Sequence, residues 1–327
     1  MKKLIYVLST LIVAPIIACD PVEEVKAKWM NWANYNVEKE KAKLFDYYEI
    51  SSELLNDKDI QEQLREMYPS PQSDFLHLEE DPRDPLLQLA KSILACDECK
   101  NIKVKYEHSP NASVCIARDA ATATCCISMH PKEHKDNNKN EIIDILLHEK
   151  SHVIYHDSEE RCQILAFILE YSPTATRLAA LQEKYNTEEQ EYLDKWRKNR
   201  KKSKKQFFED DVYKEIGLKL KESRLEYLEF RQNAPKNMAP YRKAKETRAD
   251  VYAVIASSQK GDGLTTSFQK DLQQEFEGRI SLSYKRHPHH KDRIMLLKKI
   301  KSELQGAEQE KRYMATAMQT MSDNQLI

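Results

Sequence analysis

Between Ile142 and Ile154 the chain reads Ile-Ile-Asp-Ile-Leu-Leu-His-Glu-Lys-Ser-His-Val-Ile, an apolar helix carrying the pattern HExxH. On a helix His148 and His152 stand one turn apart on a shared face, so two imidazoles can reach one ion. Glu149 lies about 100° further round, beside that ion rather than on it, where a general base for a water belongs. A chain that buries such a helix must supply a further ligand from elsewhere, because catalytic zinc takes three protein ligands and keeps one open position. A five-residue pattern with three fixed positions can also arise by chance, so the weight of the motif rests on what accompanies it.

With 327 residues there is room for one large domain or two modest ones. Charged residues reach 32% and only 5 residues are glycine, which argues for a helix-rich chain with long exposed faces. A formal charge of −1 provides no overall basic field, and no nucleic-acid partner is expected. Lys2 and Lys3 followed by the apolar Leu4–Ala18 read as a signal sequence, too short to span a bilayer. It ends in Ile16-Ile17-Ala18-Cys19, which resembles a bacterial lipobox with Cys19 as the lipidated first mature residue; the alternative is an ordinary signal peptide. The expected setting is therefore the bacterial cell envelope, with the chain held by lipid at Cys19 and facing the periplasm. Six further cysteines, Cys96, Cys99, Cys115, Cys125, Cys126 and Cys162, suggest disulfides in an exported chain, with pairings that spacing does not choose among. Cys96-Asp-Glu-Cys99 is open to a redox or zinc-knuckle reading, but without a second CxxC a structural bridge is preferred.

Along the chain, residues 19–85 read as a helical N-terminal segment punctuated by Pro69–Pro85, and Asp84-Pro85 begins a short helix. Ile102, Val104 and Tyr106 alternate with charged residues, and Val114–Ile116 and Cys125–Met129 are short β-type runs. They predict a small sheet just ahead of the motif helix, which Asn140 can cap. Residues 176–235 form a charged helical insertion containing the run Lys195–Lys205, with eight basic residues. That run reads as the solvated tip of a helical hairpin in preference to a contact for phosphate or anionic lipid. Pro235–Pro240 predicts a break before the next helix, and 305–327 reads as a frayed polar tail. The fold expected is α+β and predominantly helical: a zincin-like catalytic domain over 86–304, with a small sheet over the active-site helix, plus the insertion.

The missing ligand has a candidate in Glu246-Thr-Arg-Ala-Asp250, where Glu246 and Asp250 share a helical face. Glu246 can coordinate zinc, and Asp250 can accept a hydrogen bond from the free ring nitrogen of a ligating histidine. Eight of the ten histidines fall within 130–156 and 287–290, unlike scattered surface histidine. One of the late group can face the zinc and hold an oxyanion; the alternative is a run of exposed histidines at a helix start.

HExxHxxxxD (His148–Asp157), ExxAD (Glu246–Asp250) and HPxxxxRI (His287–Ile294) occur in that order, behind Pro110-Asn111-Ala112. Together they resemble the gluzincin peptidase family of HtpX and the CAAX prenyl protease, most of all its bacterial lipoprotein members, over about 100–300. The resemblance implies His148, His152 and Glu246 as ligands of one Zn2+ per chain, Glu149 as the base and Asp250 as the orienting group. It implies an active-site role for His287, ion pairing by Arg293, and Asn111-Ala112 as the edge strand that binds an extended polypeptide substrate. Ser151 stands where the family often has glycine, the insertion is charged, and neither membrane spans nor tetratricopeptide-like repeats are seen. The function expected is a zinc-dependent endopeptidase that degrades or processes misfolded or mislocalised envelope proteins. The alternative is a latent or non-catalytic lipoprotein that binds envelope proteins through the same fold.

Overall fold

The computed structural model describes residues 20–51, 53–54, 57–67, 83–95, 101–106, 113–118, 123–129, 139–198, 210–258, 260–277 and 287–323. Ten helices of ten residues or more account for nearly all of this: α1 (Pro21–Tyr47), α2 (Lys58–Met67), α3 (Pro85–Leu94), α4 (Lys139–Ile154), α5 (Asp157–Tyr171), α6 (Pro173–Lys198), α7 (Asp211–Asn237), α8 (Ala239–Ala256), α9 (Asp262–Phe276) and α10 (His290–Asp323). The expected α+β class is thereby corrected, because the molecule is a helical protein. The strands β1 (Asn101–Tyr106), β2 (Ser113–Arg118) and β3 (Ala123–Met129) make one three-stranded sheet, in the order β1-β3-β2. β3 runs parallel to β1, with Val104 opposite Ile127, and antiparallel to β2, with Cys115 opposite Cys126. Strands of six or seven residues built from so few alternating positions add a patch to a helical unit and not a β layer.

The chain divides into two compact units, Met1–Glu38 with Ser73–Tyr155 and Lys243–Ile327, and Lys39–Gln72 with His156–Arg242. These limits differ from the boundaries expected at 86, 176 and 305. Helical periodicity marks where elements lie, but which elements share a core depends on contacts far apart in sequence.

In the first unit the core joins Trp29 and Ala33 of α1, Val251, Ala253 and Val254 of α8, Leu264 and Phe268 of α9, and Ile294, Leu297, Ile300 and Leu304 of α10. The α10 positions recur at three- and four-residue intervals, so one stripe of the helix is buried. Fully burying side chains such as Leu297 and Ile300 contributes roughly 1.5–3 kcal/mol each. Trp29 Nε1 donates to Glu303 Oε2 at 3.0 Å, which satisfies the one polar atom of that ring. α3 begins as its sequence predicts: Pro85 occupies the first turn and Asp84 Oδ1 accepts from Leu86 N at 2.8 Å.

α9 docks on α4 through Asp144, which is fully buried. Its carboxylate accepts from Ser257 Oγ and, at 2.8 Å, from the backbone N of Gly263. Burial raises the Asp144 pKa, and those hydrogen bonds offset only part of the rise. Gly263 has no room for a side chain, since a Cβ there would lie 2.4 Å from Asn140 O and 2.6 Å from Glu141 Cα. Because both obstacles are backbone, Gly263→Ala is expected to destabilise the fold by about 1–3 kcal/mol. A chemical-denaturation midpoint equal to wild type would contradict this packing account.

Two local expectations are corrected here. α4 already begins at Lys139, so Asn140 lies inside the first turn and not at the cap. α10 continues to Asp323, so 305–323 is helix and not a frayed tail; among the described side chains Leu304 and Ala307 are its last buried ones.

In the second unit α6 and α7 run antiparallel, shown by Arg177 pairing with Glu226 and by Tyr213 Oη lying 3.5 Å from Glu189 Oε1. The expected insertion is thus a helical hairpin; beyond Lys198 its basic run lies outside the described residues. Pro235 sits inside the last turn of α7, and the break comes at Met238, within the Pro235–Pro240 stretch where it is expected. Tyr241 Oη donates to Glu160 Oε2 at 2.6 Å. Cys162 on α5 is a free thiol, so a complete pairing of the six cysteines is not realised. Cys96 and Cys99 lie outside the described residues, as do the side chains of Cys115, Cys125 and Cys126.

Candidate metal centre

Three helices of the first unit build the site. α4 presents His148, Glu149 and His152, with His148 and Glu149 buried. α8 brings Glu246 and Asp250, and its buried Ala249 and Ala253 permit close packing. α10 opens three residues after His287 and contributes Arg293.

His148 Nε2 lies 3.3 Å from His152 Nε2 and 3.3 Å from Glu246 Oε2, and His152 Nε2 lies 3.8 Å from Glu246 Oε1. Ligand atoms of these three residues all fall within 4.8 Å of one another. A tetrahedral zinc with bonds of about 2.0–2.1 Å sets its ligand atoms roughly 3.4 Å apart, so the donor set fits the ion closely. The electrostatics agree. His148 Nδ1 lies 2.9 Å from Asp250 Oδ1, and a carboxylate there fixes the proton on Nδ1. Nε2 is turned towards the Glu246 carboxylate, and a cation is called for between the two, either a proton on Nε2 or a metal ion.

The charged forms follow from these neighbours. Burial disfavours protonation of His148, yet hydrogen bonds to Asp250 and Glu246 outweigh it and raise the pKa. Burial likewise acts against a charged Glu246, but His152, His148 and His287 hold its carboxyl well below the usual range. For Asp250 the burial penalty is overcome by the charge and hydrogen bonds of Arg293, and its pKa is lowered. Arg293 grips Asp250 with both arms, Nε to Oδ2 at 2.7 Å and Nη2 to Oδ1 at 2.6 Å.

The structure therefore brings together His148, His152, Glu246, Asp250 and Arg293, with Glu149 on the same helix. His287 joins them, Nδ1 at 3.1 Å from Glu246 Oε2, with its side chain 43% exposed. The other late histidines do not. His289 Nδ1 accepts from Lys291 N at 3.2 Å, and His290 stacks on Phe268 with centroids 4.9 Å apart. Burial, and then the Arg293 charge, lower the His290 pKa to about 4. Asp157, the last residue of the HExxHxxxxD pattern, is buried at the start of α5. Cys19, Asn111 and Ala112 lie outside the described residues.

Two supporting contacts were not foreseen. Phe268 lies under the Arg293 guanidinium at 3.9 Å, and Tyr155, just past the motif, lies under Arg248 at 3.9 Å. Each is a single aromatic whose spacing reads only as core, so no local signal identifies its cationic partner. No protein-family model matches this chain, and no curated protein or solved structure is significantly similar to it.

Proposed function

We propose that the protein is a zinc-dependent endopeptidase of the bacterial cell envelope, a gluzincin-type enzyme acting on misfolded or mislocalised envelope polypeptides. The observation that carries this reading is the cluster of His148, His152 and Glu246, with His148 oriented by Asp250. When bound, zinc supplies Lewis acidity and an acidified water at neutral pH. The remaining work belongs to side chains. Glu149 takes the proton from the attacking water and returns it to the leaving amine. Asp250, clamped by Arg293, keeps the His148 ring in one tautomer. Asn111-Ala112 pairs an extended substrate as an added strand, which makes selection depend on unfolding more than on one side chain. The lipobox-like Ile16–Cys19 supports lipid attachment at Cys19 and a periplasmic orientation; among the described residues no helix is long and apolar enough to cross a membrane.

The test is metal content and casein cleavage by the full chain, beside Glu246→Ala. Wild type is expected to hold about one zinc per chain and to cleave. Glu246→Ala should lose more metal affinity than the roughly 10–100-fold typical of an outer partner. A chain without zinc would end this reading. His287, placed against Glu246, favours one second reading, a latent or non-catalytic lipoprotein that binds envelope proteins. Full zinc occupancy with no cleavage of any unfolded polypeptide would select it.

A further inference from the structure

Among the described residues, the last turns of α10 bury no side chain. Beyond Ala307, every described side chain from Gln309 onward is exposed, including Tyr313 at 69% and Met314 at 36%. A helical stretch of this length with nothing buried is marginal in water on its own. Methionine recurs at positions 314, 318 and 321, the i, i+4, i+7 spacing of one helical face, just after the cationic pair Lys311-Arg312.

Contacts with α1 show where these turns lie. Glu303 Oε2 bonds Lys28 Nζ at 2.7 Å and Trp29 Nε1 at 3.0 Å, whereas Lys311 Nζ bonds Asp20 Oδ2 at 2.5 Å. Rising numbers on α10 thus meet falling numbers on α1, so the two helices are antiparallel. α10 continues past the start of α1 for twelve residues, from Lys311 to Asp323, about 18 Å at the helical rise. Asp20 follows Cys19 directly, and adjacent Cα atoms are about 3.8 Å apart. A lipid on Cys19 therefore brings the bilayer surface to the point where the unpacked turns of α10 begin.

We infer that residues 312–323 of α10 are a membrane-contact surface, lying in the headgroup region of an anionic phospholipid bilayer beside the Cys19 anchor. A lipid attached at one residue fixes where the chain meets the bilayer but leaves its tilt free, so an interfacial helix beside it sets the orientation. Tyr313 and Met314 enter the interface, where an aromatic with a polar tip is favoured, and Arg312 meets lipid phosphate. This inference rests on lipidation of Cys19 and is independent of the zinc chemistry.

The experiment uses the full chain produced in a bacterium, purified from membranes and reconstituted in phosphatidylethanolamine–phosphatidylglycerol vesicles. Amide hydrogen exchange over 312–320 is compared with the unlipidated Cys19→Ala chain in buffer. Slowing on the order of tenfold, confined to this stretch and abolished by Tyr313→Asp with Met314→Asp, is the expected result. Equal exchange in the two states overturns the inference, as does protection that tracks protein concentration without vesicles, which would mark a second copy as the occupant. An intact mass showing no lipid on Cys19 also overturns it. Zinc content, measured on the same samples, separates any of these failures from a failure of the metallopeptidase reading.

Discussion

Glu149→Gln is expected to lower cleavage by about 10²–10⁴-fold, the usual contribution of a positioned general base, while zinc content stays near one per chain. Glutamine matches glutamate in volume, which matters because Glu149 is buried on α4 and a smaller residue would leave a cavity. It differs in the one property at issue, since an amide cannot take a proton near neutral pH. The three candidate metal donors, His148, His152 and Glu246, are left intact. Parallel measurement of metal content, thermal midpoint and casein cleavage decides the matter. Cleavage that persists at the wild-type rate removes Glu149 from the role of base. Loss of cleavage together with loss of zinc assigns it to the integrity of the site.

Replacing Arg293 by methionine is expected to have the largest effect on stability, about 3–5 kcal/mol. Asp250 is 0% exposed and Arg293 only 7%, so deleting the guanidinium leaves a carboxylate in the interior without its bidentate partner. Breaking one side of a buried pair costs far more than the pair contributes net, because the remaining charge keeps its desolvation penalty. Phe268 also loses the cation over its face. Arg293→Lys keeps the charge but neither the fork nor the stacking, so it should fall between wild type and methionine. Urea unfolding at neutral pH gives the comparison, with a shifted midpoint at unchanged slope as the expected signature. A midpoint within experimental error of wild type would mean that Asp250 is held by other groups. Zinc affinity should drop in both variants, because the orientation of His148 depends on Asp250 and that of Asp250 on Arg293.

What could be read without coordinates was local. His148 and His152, like Glu246 and Asp250, are four residues apart, and the geometry of any α-helix puts such pairs on one face whatever surrounds them. The Asp84-Pro85 start of α3 was legible for the same reason, as a cap involves only neighbouring residues. The helix-rich character followed from composition and the short alternating runs marked the strands, but the α+β class did not survive, because three short strands are a minor part of a helical molecule. Polar composition was overread after 304, where the helix continues to Asp323, whereas the break expected within Pro235–Pro240 falls at Met238. Chemical candidates were visible as residue types, yet their order of importance was not.

Tertiary structure alone decided the rest. It alone set His287 on Glu246 while turning His289 and His290 away, although all three lie within four residues. It placed Phe268 beneath Arg293, bound Asp144 to Gly263 across 119 positions, and laid Lys311 of α10 beside Asp20. The sequence by itself determined which side chains share a helical face, since a fixed 3.6-residue turn carries that information within a few neighbours. Which faces meet was settled only by burying apolar stripes and pairing buried charges across the whole chain, and those energies belong to contacts between distant residues.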